Sequence, residues 1–96
     1  MFARVTTTQG APEQYDQTVR YIQEQVLPML QQMPGIKGAY LLADRQTGKG
    51  LTISFWESEE AMNASAQAAN QVRAQGVAGT ASTVEGVQGY EVVGKI

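Results

Sequence analysis

Residues 50–58 read GLTISFWES, and the rhythm of the chain changes at the last of them. Leu51, Ile53 and Phe55 alternate with Thr52, Ser54 and Trp56, the period of a strand whose side chains point to opposite faces. Ser58 then opens a run of helical character: it is a good N-cap, and Glu59 and Glu60 follow where the helix dipole favours acid. The face made by Leu51, Ile53 and Phe55 reads as core. The second face carries short polar side chains and ends in the only Trp of the chain. That mixture suits the wall of an enclosed, partly polar cavity better than a surface facing bulk water.

The flanking segments complete the fold. Upstream, IKGAYLLAD (36–44) reads as a strand joined to this one through a hairpin at 45–49, with Gly48 as the positive-φ residue. Before it, Tyr15, Val19, Ile22, Val26, Leu30 and Met33 form one helical stripe, which Pro28 should bend and Pro34-Gly35 should end. FARVTTT (2–8) is β-branched and reads as a first strand, closed by Gly10-Ala11-Pro12. Downstream, the helix begun at Ser58 is expected to stop near Gly76, with Met62, Ala66, Ala69 and Val72 facing inward. A loop at 76–83 and a last strand within 84–96 follow, with Gly86, Gly89 and Gly94 as bulge or bend positions. The order βαββαβ predicts one α+β domain over 1–96 with a ferredoxin-like fold: an antiparallel four-stranded sheet with two helices on one face.

Two helices cover only one side of such a sheet. With Leu51, Ile53, Phe55, Leu41, Ala43, Ala3 and Val5 assigned to the helix side, the uncovered side would show Phe2, Arg4, Thr6, Tyr40, Leu42, Thr52, Ser54 and Trp56. Several large apolar groups in water are costly, since each is worth roughly 1.5–3 kcal/mol on burial. The expected solution is a homodimer through this open face, with the two sheets enclosing a small cavity.

Composition excludes several chemistries. Apolar residues make up 43% and charged residues 17% of the 96, and seven basic against nine acidic residues leave a net charge of −2. No Lys/Arg cluster is present, so neither nucleic acid nor an anionic membrane is an expected partner. There is no Cys and no His. Thiol nucleophiles, iron–sulfur clusters, imidazole metal ligands, a histidine base and a haem on a proximal His are thereby removed. No metal or other cofactor is expected. No apolar run approaches the roughly 18 residues of a membrane span, and FARVTTT does not resemble a leader, so a cytoplasmic location is the default.

Residues 33–65, MPGIKGAYLLADRQTGKGLTISFWESEEAMNAS, resemble the antibiotic biosynthesis monooxygenase (ABM) family of dimeric α/β barrels. The shared pattern is Pro34-Gly35 and Gly38 before a strand, a short Thr-Gly hairpin, and a strand ending Trp-Glu-Ser before a helix. The resemblance implies a homodimer whose sheets form a barrel, with a pocket inside each protomer. Some members of that family oxygenate polyketide-like phenols without a cofactor, and others degrade haem. By position Trp56 matches the strand-end Trp that lines the family's pocket. Where the family carries a catalytic Asn on its first strand, this chain offers Arg4, Thr6 and Thr7. The haem-ligating His of the second helix has no counterpart, which argues against haem degradation.

The pocket candidates are therefore Arg4, Thr6, Tyr40, Leu42, Thr52, Ser54 and Trp56, with no catalytic residue assigned. Trp56 is either a wall for a flat ligand or a plug. A buried Arg4 needs a partner, for which Asp44 and Glu91 are the nearest candidates. Two functions remain open. One is a cofactor-independent monooxygenase acting on a small aromatic or quinone, its acid–base work falling to Tyr40, Tyr90, Arg4 or a carboxylate. The other is a non-catalytic dimeric module that binds a small apolar ligand or serves in assembly.

Overall fold

The structure, a computed structural model, describes residues 1–80 and 82–96, and for 76–80 the backbone alone. Strands β1 (Phe2–Gln9), β2 (Ile36–Ala43), β3 (Lys49–Trp56) and β4 (Thr83–Glu91) form one antiparallel sheet in the order β2-β3-β1-β4. This is the ferredoxin-like arrangement, with the helices packed on one face.

The first helical run begins with a short 3₁₀ turn at Pro12–Gln14 and continues as α1 (Tyr15–Tyr21). A wider π turn follows at Ile22–Val26, and α2 (Leu27–Gln31) completes the run. The expected bend is taken up by this π turn. Pro28 has no N–H for the carbonyl of Glu24, and inside a regular helix its ring would collide with that carbonyl. Bonding Leu27 N–H to Ile22 O widens the ladder just before the proline.

The hairpin between β2 and β3 turns on Gly48 at φ 79°. Gly10 N–H donates to Gly48 O at 2.8 Å. A Cβ on Gly48 would lie only 2.2 Å from Gly10 O, so both the positive φ and the close approach demand glycine. The loop is further fixed by Asp44, whose Oδ1 accepts from the backbone N–H of Gln46 and Thr47.

Ser58 caps α3 (Glu59–Ala64), its Oγ accepting from Ala61 N–H at 3.1 Å. Replacing it is expected to cost the protein about 1 kcal/mol, read as a lowered urea midpoint for Ser58→Ala and recovered in Ser58→Asp. An unchanged midpoint for Ser58→Ala would show that the cap contributes nothing.

The second helix departs from its sequence reading. It breaks at Ser65 and resumes as α4 (Ala66–Thr80), running past Gly76 through most of the expected loop, whose residue 81 lies outside the described residues. Met62, Ala69 and half-buried Val72 face inward as expected, and the break brings Ser65 inward in place of Ala66, which is exposed. The last strand ends at Glu91, and a register shift between Thr7 and Thr8 sets Gly86 and Val84 on either side of a bulge at Glu85.

The larger correction concerns which face the helices cover. Trp56 is fully buried in a core with Val26, Leu30, Met33 and Met62, with Phe2, Ile36, Ala39 and Leu41 packed around it. On β1 and β3 the helix side is therefore Phe2, Arg4, Thr6, Thr52, Ser54 and Trp56, all assigned above to the open side. On β2 Leu41 faces the helices, and Tyr40 and Leu42 the open side, as expected. Leu51, Ile53 and Phe55 lie on the open side, where Leu51 pairs with Leu42 and Ile53 with Tyr40. The Tyr40 and Phe55 rings meet edge to face at 6.2 Å. The reason is volume. Val26, Leu30 and Met33 pack against the one large ring of that face, Trp56, and the short Thr and Ser side chains beyond it leave a cavity under the helices. The aliphatic face remains open.

Candidate functional site

The inverted sheet moves the cavity from between two sheets to between the sheet and the helices of one chain. Its volume is about 140 Å³. A cavity of similar size holds benzene, so a single six-membered ring fills it. The floor comes from alternate positions of the two central strands, Thr6 and Thr8 on β1 with Thr52 and Ser54 on β3. The roof is the apolar side of α1 and the π turn, with Val19, Ile22 and Val26, joined by Ala69 and Val72 of α4. Strand pairing explains the floor. Thr6 faces Thr52 and Arg4 faces Ser54 across the β1–β3 ladder, so four short or slender side chains stand in one row. They leave space that Leu or Phe would fill.

At the inner end a polar cluster closes the cavity. Trp56 Nε1 donates to Ser54 Oγ at 2.9 Å. The Arg4 guanidinium lies over the Trp56 ring, 5.2 Å from its centroid. Arg4 Nη2 donates to Met62 O at 2.5 Å and to Ser65 Oγ at 3.1 Å, and Ser65 Oγ itself donates to Met62 O at 2.7 Å. Met62 O belongs to the last turn of α3, the negative end of its dipole, so a cation is favoured there. Desolvation by burial lowers the pKa of Arg4 from the ordinary arginine value, and the charge of Arg73 lowers it further. It remains protonated at neutral pH, as arginine does in proteins. Arg73, on α4, also lines the cavity; its pKa too is lowered by burial, and its Nη2 donates to Asn70 Oδ1.

The outer end lies by the hairpin loop. There Asp44 and Lys49 line the cavity, with Lys49 paired to Glu85 at 3.4 Å. Arg45, one residue on, stacks 4.2 Å from the ring centroid of Tyr15 and pairs with Asp16 at 3.2 Å, tying the hairpin to the start of α1.

Of the seven candidates, Arg4, Thr6, Thr52 and Ser54 line the cavity from the sheet, and half-exposed Leu42 borders it at the edge strand. Trp56 is not in its wall. It stands behind Arg4 and Ser54 as the plug of the core. Tyr40 is 66% exposed on the opposite face, and Tyr90 shares that face through its pairing with Ala3, so neither reaches the cavity. Neither Asp44 nor Glu91 pairs with Arg4; a backbone carbonyl and a serine hydroxyl take that place. Sequence reasoning missed Ser65 and Arg73. A helix continuous through Ser65 puts Ala66 inward instead, and no local pattern announces the break. Among the described residues no three of Asp and Glu gather as a metal site requires, and no helix is long and apolar enough to cross a membrane.

Comparison with known proteins adds three findings. Residues 1–76 match the sequence model of the family described as antibiotic biosynthesis monooxygenase. An uncharacterised protein of Mycobacterium tuberculosis is 40% identical over 73 residues, which cover 76% of this chain and 33% of the relative. The chain thus spans about a third of the length of the curated relatives it matches. Among solved structures, a haem degrader of M. tuberculosis with two haems bound in its active site superposes with a TM-score of 0.77 at 19% identity, over 100% of this chain and 99% of that one. A Streptomyces coelicolor monooxygenase in complex with nanaomycin D superposes with a TM-score of 0.73 at 20% identity, over 99% and 89%. At these identities the likeness is one of fold.

Proposed function

Because the chain belongs to the antibiotic biosynthesis monooxygenase family, we propose that its cavity binds a small aromatic or quinone-type molecule and that the protein oxygenates it without a cofactor. The observation that carries this reading is the one-ring cavity between sheet and helices, apolar in its roof and hydroxyl-lined in its floor. The chemistry needs no external reductant when the substrate supplies the electrons. On a hydroquinone one ring C–H can become C–OH as the ring is oxidised to the hydroxyquinone, with one oxygen atom of O₂ retained and the other leaving as water. Without His or Cys, and with Tyr40 and Tyr90 on the far face, the carboxylate able to accept a proton at the cavity is Asp44. The missing His speaks against a haem held on a proximal imidazole.

A second copy covering the open face completes the proposal. That face carries Leu51, Ile53, Phe55, Tyr40 and Leu42, with Leu51 37%, Leu42 51% and Tyr40 66% exposed. So much apolar surface on β2 and β3 calls for a cover.

The test is calorimetric titration with methylhydroquinone and with toluene, followed by oxygen uptake with the hydroquinone. Saturable binding with uptake above the spontaneous rate is expected, both lost in Ala69→Phe, which fills the cavity. Added haemin should give no stoichiometric Soret band. Binding without uptake favours the non-catalytic ligand-binding module, a reading supported by the lack of any proton acceptor among Thr6, Thr52 and Ser54. Absence of binding by either probe would sink the cavity as a ligand site.

A further inference from the structure

The charges around the cavity are distributed unevenly along it. Its inner end holds Arg4, 8% exposed, and Arg73 approaches from α4. Neither forms an ion pair among the described residues, where the ion pairs are Lys37–Glu57, Arg45–Asp16 and Lys49–Glu85. The acid that lines the cavity, Asp44, stands at the opposite end. Its N–H donates to Lys49 O, Lys49 faces Gln9 on β1, and the five strand steps from Arg4 to Gln9 span about 16 Å. Arg4 is thus a buried cation, with the half-exposed Arg73 near enough for its charge to be felt and no acidic partner among the described residues.

A buried cation without a counter-ion is expensive, and neutral partners offset that cost only in part. Arg4 receives what a backbone carbonyl, a hydroxyl and an aromatic face provide. All the recorded bonds of its guanidinium come from one nitrogen, Nη2, which leaves the planar fork of the group only partly used. That fork suits an oxyanion with two acceptor lone pairs.

We propose that the cavity takes an anion: one flat ring bearing a single ionised oxygen group, the ring between Ile22, Val26 and Thr52 and the charged oxygen at Arg4, with Arg73 flanking. This deepens the reading of the cavity as a ligand site and rests on it. The apolar roof selects the ring, and the inner cations select its charge. A carboxylate and a phenolate share this chemistry.

The experiment compares benzoate with benzamide, which have the same ring and nearly the same shape, by calorimetric titration of the full chain at neutral pH. Benzoate is expected to bind at least about tenfold more tightly, as one charge-assisted hydrogen bond in place of a neutral one implies. Arg4→Met should erase the difference, weakening benzoate at least about tenfold more than benzamide. Arg73→Gln, at a half-exposed position where folding is not at stake, should narrow it several-fold, and this keeps the test decisive if Arg4→Met fails to fold. A third arm follows 4-nitrophenol across its own ionisation. Tightening as the phenol ionises names a phenolate as a ligand, and benzoate binding without that tightening names a carboxylate. Equal binding of benzoate and benzamide would overturn the charge selection and leave the cavity reading standing. Binding of neither, nor of methylhydroquinone or toluene, would overturn both.

Discussion

Trp56→Ala is expected to lower the stability of the fold by about 3–5 kcal/mol, the range for truncating a large buried aromatic. The indole is fully buried and is the largest side chain of the core, touching both helical layers through Val26, Leu30, Met33 and Met62. Its loss leaves a void under α2 and α3. It also leaves Ser54 Oγ without its donor and Arg4 without the ring beneath it. Native domains hold only about 5–15 kcal/mol in total, and one of this size sits low in that range. A substantial part of the net stability is therefore at stake. Urea unfolding followed by far-ultraviolet circular dichroism reads the effect, because the substitution removes the chain's only indole. Trp56→Phe should lose less than half as much, keeping a ring in the core without the bond to Ser54. A loss below about 1 kcal/mol for the alanine variant would mean that the surrounding layers close over the gap, and that Trp56 does not plug the core as described.

The second large effect is on assembly. If a second copy covers the open face, the protein should sediment at about twice its 10.4 kDa. Leu51→Asp should then convert it to a folded monomer. Leu51 is 37% exposed on a central strand, opposite Leu42. An aspartate there faces water in the monomer, so the fold itself tolerates it. In a two-fold interface every substitution is made twice. Burial of each leucine is worth roughly 1.5–3 kcal/mol, so the pair contributes about 3–6 kcal/mol, and association weakens about a hundredfold to ten-thousandfold. The buried carboxylates add to that loss. Sedimentation velocity across a concentration series measures it. A wild-type chain that sediments as a stable monomer at micromolar concentration ends the proposal, and an unchanged dimer in Leu51→Asp moves the interface elsewhere.

Local signals made the elements legible. Ser58 caps α3, Gly48 turns the hairpin at positive φ, and the helical stripe from Tyr15 to Met33 is the one that packs on the sheet. What alternation does not encode is which side of a strand meets the helices. Both faces of β3 are rich in groups that avoid water, one through Trp56 and one through Leu51, Ile53 and Phe55. Hydrophobicity alone ranks the aliphatic face first and places it under the helices. Volume reverses that choice on β1 and β3, because Val26, Leu30 and Met33 pack against a single large ring and the short side chains beyond it leave a cavity. The row of Arg4, Thr6, Thr52 and Ser54 was still recognisable as a cavity wall, since its residues share one strand face whichever way that face points. On β2 the expected faces hold, with Leu41 toward the helices and Tyr40 and Leu42 on the open side. Tyr40 and Leu42 part from the row because the faces of β1 and β3 are the other way round. Ser65 could not be found from periodicity, since it turns inward only through the break in the helix. Arg73, in contrast, follows Ala69 by four residues on the expected inner face and was passed over as a charged side chain.

The π turn at Ile22–Val26 divides the first helical run by mechanical duty. Before it, Pro12–Tyr21 contains no buried residue and forms part of the cavity roof. From Val26 onward, the buried residues Val26, Leu30 and Met33 anchor the chain to Trp56. A wide turn has a looser ladder of bonds than the α-helix on either side of it, so it is where the run flexes at least cost. The forward half is thus held by half-buried contacts alone, while the rear half is seated on Trp56. At its far tip Arg45 stacks on Tyr15 and pairs with Asp16, an exposed clasp that adds little to that hold.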